Sequence, residues 1–83
     1  MCKQDMAIQV MGQASSDLAD IILKDIPIKA MWREVTRIET KVSDTLRELT
    51  FGEVTHPKVE VEHKLFSVTL REVMEELSER EHS

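Results

Sequence analysis

The apolar positions at the start of the chain change from an alternating to a helical period. Residues 6–10, MAIQV, alternate between apolar and polar side chains, which is the period of a half-buried strand. Ser15 or Ser16 then suits the N-cap of a helix, and Asp17 and Asp20 would fall in its first turn. Helical spacing follows, at Leu18, Ile21, Ile22 and Ile26. This pattern predicts a strand followed by a helix.

Pro27 interrupts the helical pattern, and a second apolar stripe begins after it. Proline removes a backbone hydrogen bond, so we expect a kink or a short break at this point. The stripe then recurs in steps of three and four, at Ile28, Met31, Val35, Ile38 and Val42. Such a stripe is typical of the core face of an amphipathic helix, and it also suits a dimerising coiled coil that extends over 28–49.

The segment 44–54, DTLRELTFGEV, fits either a helix or a strand. As a helix it extends the stripe to Leu49, with Gly52 as the C-terminal cap. As a strand it places Leu49 and Phe51 on one face. Residues 58–66, KVEVEHKLF, alternate as a strand does, and a sheet of only two strands is poorly stable. We therefore predict that 45–54 and 58–67 form a β-hairpin, and that strand 6–11 completes a three-stranded sheet with it.

The last helix has a predicted start at Thr69. Glu72 stands three residues later and completes a capping box, and Val68 and Val73 occupy the positions of a hydrophobic staple. The apolar face of this helix is predicted to consist of Leu70, Val73, Met74 and Leu77. The glutamates of this helix are predicted to point away from that apolar face, and they are Glu72, Glu75, Glu76 and Glu79.

Together these elements predict an α+β fold in a single domain, 1–83, with the order strand, kinked helix, β-hairpin and helix. The alternative is a mostly helical fold with a coiled-coil-like central helix at 28–50.

Composition points to a small core in a reducing compartment. The chain has 83 residues, of which only Trp32, Phe51 and Phe66 are aromatic, and small cores often gain stability by forming homodimers. Cys2 is the only cysteine, so neither an internal disulfide nor a cysteine zinc site is expected. Because no signal peptide or membrane-spanning stretch is visible, we expect a cytoplasmic protein without a membrane partner.

The acidic charge is concentrated in the second half of the chain. Residues 1–43 hold six basic and six acidic side chains, whereas residues 44–83 hold five basic and ten acidic ones. Phosphate backbones would be repelled by the second half, so direct DNA binding is not expected. A partner protein with a basic surface would be attracted to it.

The sequence offers little for catalysis or for metal binding. His56, His63 and His82 lack metal-ligand spacing, and two glycines are too few for a phosphate-binding loop. The serines at 15 and 16 are better explained as helix caps than as nucleophiles. We therefore expect a protein that is not an enzyme and that has no metal, no cofactor and no catalytic residue.

Two stretches resemble the small early proteins with which T-odd podoviruses, a group of bacteriophages, inhibit the host nucleoid protein H-NS. The first is SSDLADIILKD at 15–25, where the resemblance is carried by Ser15, Ser16, Asp17, Ile21, Lys24 and Asp25. The second begins at Thr55-His56 and resumes at Arg71-Glu72, followed by Val73 and Met74. This resemblance covers about half of the chain. It implies a non-enzymatic protein of the host cell cytoplasm that binds H-NS and relieves the silencing of phage DNA.

The predicted partner-binding surface lies on the last helix and consists of Arg71, Glu72, Glu75, Glu76 and Glu79. Two alternatives to H-NS inhibition stay open. One is a structural or assembly protein that dimerises through the 28–49 stripe, and the other is an inhibitor of a different host DNA-handling or defence protein.

Overall fold

The computed structural model describes residues 2–82, and it contains four helices. They are α1 (Lys3–Ile21), α2 (Ile28–Arg47), the short α3 (Phe51–Val54) and α4 (Pro57–His82). No strand is present among the described residues.

The three long helices form an up-down-up bundle. At one end, Lys3 Nζ at the start of α1 donates to the carbonyl of Glu48 just after α2, over 3.4 Å. At the other end, Arg80 Nη2 near the end of α4 donates to the carbonyl of Ile22 just after α1, over 3.0 Å. Helices α1 and α4 therefore run parallel, and α2 runs antiparallel to both. The bundle is elongated, with extents of 44 × 17 × 17 Å.

Each long helix contributes one apolar stripe to the core. On α1 the buried residues follow strict steps of four and three, at Ala7, Met11, Ala14, Leu18 and Ile21. The buried residues of α2 are Met31, Val35 and Val42, and those of α4 are Val59, Phe66, Val73 and Leu77. Steps of three and four keep side chains on one side of a helix, and this spacing explains why three helices close around a shared core.

The break between α1 and α2 lies where proline predicts it. Helix α1 ends at Ile21, and Pro27 is the N-cap of α2. The Pro27 carbonyl accepts the backbone N–H groups of Ala30 and Met31, over 2.9 and 3.1 Å. Proline is favourable at a helix start, where its missing N–H would lack an intrahelical partner anyway.

The predicted α+β fold is wrong, and the helical alternative fits the structure. Residues 6–10 lie within α1, while the segments 45–54 and 58–67 of the predicted hairpin lie in α2, α3 and α4. The alternation at 6–10 has a helical explanation, because α1 packs between two helices. Met6 and Val10 line a groove with the end of α2, whereas Ile8 lines a groove with the start of α4.

The central helix of that alternative, 28–50, is shorter in the structure. Helix α2 ends at Arg47, and the chain turns before the short α3. Thr50 begins α3 with a capping box, in which its hydroxyl accepts the Glu53 N–H and the Glu53 side chain accepts the Thr50 N–H. Gly52 lies inside α3 and is not the cap of α2.

The predicted caps at Thr69 and at Ser15 or Ser16 are also wrong, because all three residues lie inside helices. Thr69 lies inside α4, where its hydroxyl donates to the Leu65 carbonyl over 3.1 Å. Ser15 lies inside α1 and donates to the Met11 carbonyl over 3.0 Å. Hydroxyl groups reach the carbonyl four residues earlier in many helices, so a serine or threonine before an acid does not by itself mark a helix start.

Candidate functional site

Helix α4 carries apolar side chains on two opposite sides. One side packs into the core. The other side holds the outer stripe, which we define as Val61, Leu65 and Val68, with exposed fractions of 58%, 56% and 44%. Steps of four and three residues place these side chains in one row along the helix. An apolar row that remains exposed on a rigid helix is a candidate contact surface.

The same row continues toward the C-terminus as acidic side chains. Glu72, Glu75 and Glu79 extend the steps of four, three and four beyond Val68, and all three are exposed. We call these three glutamates the acidic end. The exposed side of α4 therefore changes from apolar to acidic at about its midpoint, and the two parts form one continuous surface.

The structure brings together three of the five residues predicted for partner binding. Glu72, Glu75 and Glu79 share the exposed side, whereas Arg71 is also exposed but lies beside the row. Glu76 is half-buried, and its Oε2 accepts from Arg80 Nε over 2.9 Å, so its charge is already paired within the helix. The apolar face predicted for the last helix also has fewer buried residues than expected, because Met74 is 37% exposed.

Contacts with the rest of the bundle fix the C-terminal part of α4. Arg80 reaches the Ile22 carbonyl and also approaches Met31 Sδ at 3.7 Å. Trp32 Nε1 on α2 donates to Glu81 Oε1. These contacts join the last turns of α4 to both neighbouring helices, and they hold the acidic end in a defined position.

A shallow groove between α1 and α4 lies next to the outer stripe. It is lined by Ile8, Pro57, Lys58, Val61 and Glu62. Sequence reasoning missed this surface because the alternation in 58–66 was interpreted as a strand. The signal that identifies it is the helical row 61, 65, 68, 72, 75 and 79, which is visible only when 58–82 is considered as one helix.

The 28–49 stripe, which was predicted as a possible dimer surface, packs into the core of the monomer. Met31, Val35 and Val42 are at most 4% exposed, and the flanking apolar residues Ile28, Ile38, Leu46 and Leu49 pack partly buried against the core. Covering this stripe with a second copy would require the bundle to open.

A charged cleft between α1 and α2 contains ion pairs of its own, although the buried Oε2 of Glu34 has no hydrogen-bond partner among the residues that the structure describes. Lys24 Nζ lies 2.8 Å from Glu34 Oε1, and Arg37 Nη2 lies 3.8 Å from the same oxygen. Within residues 2–82, no group of three or more histidine, cysteine, aspartate or glutamate side chains is placed to hold a metal ion. None of the helices described has the length and apolar character needed to cross a membrane.

Comparison of this chain with protein-family models, with curated proteins and with solved structures gives no match.

Proposed function

We propose that this protein acts by protein–protein contact through the exposed side of α4, and that it is not an enzyme. The observation that carries the proposal is the continuous row formed by the outer stripe and the acidic end. The bundle does not need these side chains for its core, because the opposite side of α4 supplies Val59, Phe66, Val73 and Leu77. Apolar side chains that a small fold leaves exposed in a row are typical of interaction surfaces.

The chemistry of this row defines the kind of partner that it fits. An apolar row followed by carboxylates suits a protein segment with apolar anchors and a cluster of lysine or arginine side chains. Charge complementarity of this kind speeds association and selects against acidic competitors. An amphipathic helix docked along a helical groove is a common form of such contacts.

H-NS in the host cytoplasm is the specific partner that we propose to test first. Support comes from the sequence resemblance at 15–25, 55–56 and 71–74 and from the exposed carboxylates of the acidic end. Glu72 belongs both to the resemblance and to the acidic end. Inhibition in this proposal means occupying a basic surface of the nucleoid protein, and a different host DNA-handling or defence protein is an alternative target.

The helical bundle favours a structural or assembly role over inhibition of H-NS. Its exposed outer stripe is a surface that an assembly partner would cover, whereas nothing in the fold is specific to a nucleoid protein. The 28–49 stripe is buried in the monomer, so an assembly contact has to use another surface.

A retention assay tests whether H-NS is the partner and whether the acidic end is the contact surface. Tagged protein is used to retain purified H-NS at moderate salt, and a Glu75→Lys/Glu79→Lys variant of α4 is compared with the wild type. The matched control is an Asp5→Lys/Glu48→Lys variant, which changes the net charge equally at exposed positions of α1 and of the loop that follows α2. We expect retention by the wild type and by the α1–loop variant, with a loss of about tenfold or more for the α4 variant. Absence of retention by the wild type excludes H-NS. Equal retention by both variants excludes the acidic end as the contact surface.

A further inference from the structure

We propose that the outer stripe binds a second copy of this chain, in an antiparallel arrangement of two α4 helices. This inference goes beyond the proposed partner contact, and it implies that a second copy and the apolar anchors of a partner compete for the outer stripe. Val61, Leu65 and Val68 are the central contacts. The steps of four and three between them are those of side chains that interdigitate between two packed helices.

The charges at the two ends of the row determine the direction of pairing. Lys58 is exposed and precedes Val61 by three residues, so it begins the row that Glu72, Glu75 and Glu79 end. A parallel pair would align the three glutamates of each copy beside those of the other, and like charges at this distance are destabilising. A two-fold axis between Leu65 and Val68 instead places Lys58 of one copy beside Glu72 and Glu75 of the other.

Self-complementarity is what favours a second copy over an unrelated occupant of the outer stripe. A two-fold interface uses the same patch on both copies, so each patch must carry its own complement. The row does so, with a lysine at one end, apolar side chains in the centre and carboxylates at the other end. Glu79 lies beyond the paired region, so a dimer presents acidic side chains at both ends of its interface.

The size of the contact predicts a dimer that depends on concentration. One helix row with the adjoining groove side chains Ile8 and Pro57 would be a small contact, and small contacts are typical of transient association. We therefore expect monomer and dimer to exchange in the micromolar range of protein concentration.

Sedimentation equilibrium of the purified chain tests the surface. The wild type should dimerise as its concentration rises, and Leu65→Lys should remain monomeric with an unchanged helical circular dichroism spectrum. Leu23→Lys, at a position that is 81% exposed outside α4, is the matched control and should dimerise as the wild type does. A wild type that stays monomeric at every concentration, or a dimer that survives Leu65→Lys, overturns the proposal.

Charge exchange tests the direction independently. Lys58→Glu and Glu75→Lys should each weaken dimerisation severalfold, because each places like charges together in the antiparallel pair. Combining the two substitutions restores opposite charges between positions 58 and 75, so the double variant should dimerise more tightly than either single variant. A double variant that dimerises no better than the single variants overturns the antiparallel arrangement. Since these measurements use no second protein, they succeed or fail independently of H-NS retention.

Discussion

At the residue scale, two threonines that share one sequence pattern have different roles in the structure. The Thr50 hydroxyl accepts the Glu53 N–H over 3.2 Å at the start of α3, whereas the Thr69 hydroxyl donates to Leu65 inside α4. We predict that Thr50→Ala lowers the free energy of unfolding by about 0.5–1 kcal/mol, because a helix cap is lost. Thr69→Ala should leave it unchanged or raise it slightly, because alanine is the better residue inside a helix. Urea denaturation of the two variants measures both effects.

The pair of threonine variants also distinguishes the two folds. Both positions carry the same S/T-x-x-E pattern, so local sequence gives no reason to prefer one of them. If Thr69→Ala were the costly substitution, α4 would begin near residue 69, and the segment before it would not be helical. A serine at either position retains the hydroxyl and serves as the control, with stability close to that of the wild type.

At the scale of the element, the length of α4 is the feature on which the interaction surface depends. The outer stripe and the acidic end form one row only if Pro57–His82 is a continuous helix. Spin labels at Glu60 and Ser78, both exposed, would then be separated along the axis by roughly 27 Å, at 1.5 Å per residue. Pulsed electron paramagnetic resonance on the doubly labelled chain should give a single narrow distribution of label-to-label distances near this value. The protein concentration is kept below the range in which the chain dimerises.

A broad or clearly longer distribution would contradict the continuous helix. A strand over 58–66 rises about 3.3 Å per residue, so part of the chain between the labels would be extended. Labels at Lys29 and Thr40, both exposed on α2, provide a control within a helix that the sequence also predicts.

Helices with apolar residues on one side only were predictable from the sequence, and the parts of helices with apolar residues on two sides were not. Helix α2 has one apolar face, and its stripe from Ile28 to Val42 and the break at Pro27 were predicted correctly. Helix α1 contacts two neighbours at residues 6–10, and α4 has a core side and an outer stripe. Apolar residues on two sides of a helix, as with Val59 and Val61, produce an alternation that resembles a strand.

The candidate site was predicted in part for the same reason. The acidic end follows from the helical period of residues 70–79, which was recognised, and its glutamates are exposed as expected. The sequence does not indicate the outer stripe, because the alternation that includes Val61 and Leu65 predicts a strand. Glu76 was included although it is paired with Arg80, a contact that follows only weakly from their spacing of four residues.

At the scale of the whole molecule, the narrow bundle makes stability depend on a few buried side chains. Leu18 is fully buried and Leu23, five residues later, is 81% exposed. We predict that Leu18→Ala lowers the free energy of unfolding by about 2–5 kcal/mol, because it leaves a cavity between the helices. Leu23→Ala should change it by less than about 0.5 kcal/mol. Thermal and urea unfolding of both variants provide the measurement.

The leucine pair tests the placement of the core across the whole bundle. Domains of this size have total stabilities of roughly 5–15 kcal/mol, so Leu18→Ala should remove a large part of the total. Leu18→Met, which conserves volume, should cost less than about 1.5 kcal/mol. Similar losses for Leu18→Ala and Leu23→Ala would mean that the turn after α1 is packed and that the core lies elsewhere.

Salt should separate the two contacts that we propose for the exposed side of α4. The chain has a net charge of −5, and the glutamates of the acidic end are exposed to counterions. Interactions between exposed charges are largely screened beyond about 10 Å at 0.1 M salt and beyond about 3 Å at 1 M. We therefore predict that binding of a basic partner falls at least tenfold between 0.05 and 0.5 M sodium chloride.

Self-association through the outer stripe should persist over the same range of salt. Its central contacts are apolar, and burial of apolar surface does not depend on screening of charge. Screening weakens the contacts of Lys58 with the opposing glutamates, but it also reduces the repulsion between two copies that are both acidic. Sedimentation equilibrium at the two salt concentrations measures the dimer, and a retention assay under the same conditions measures the partner. Loss of the dimer at high salt would show that charge and not the outer stripe holds the two copies together.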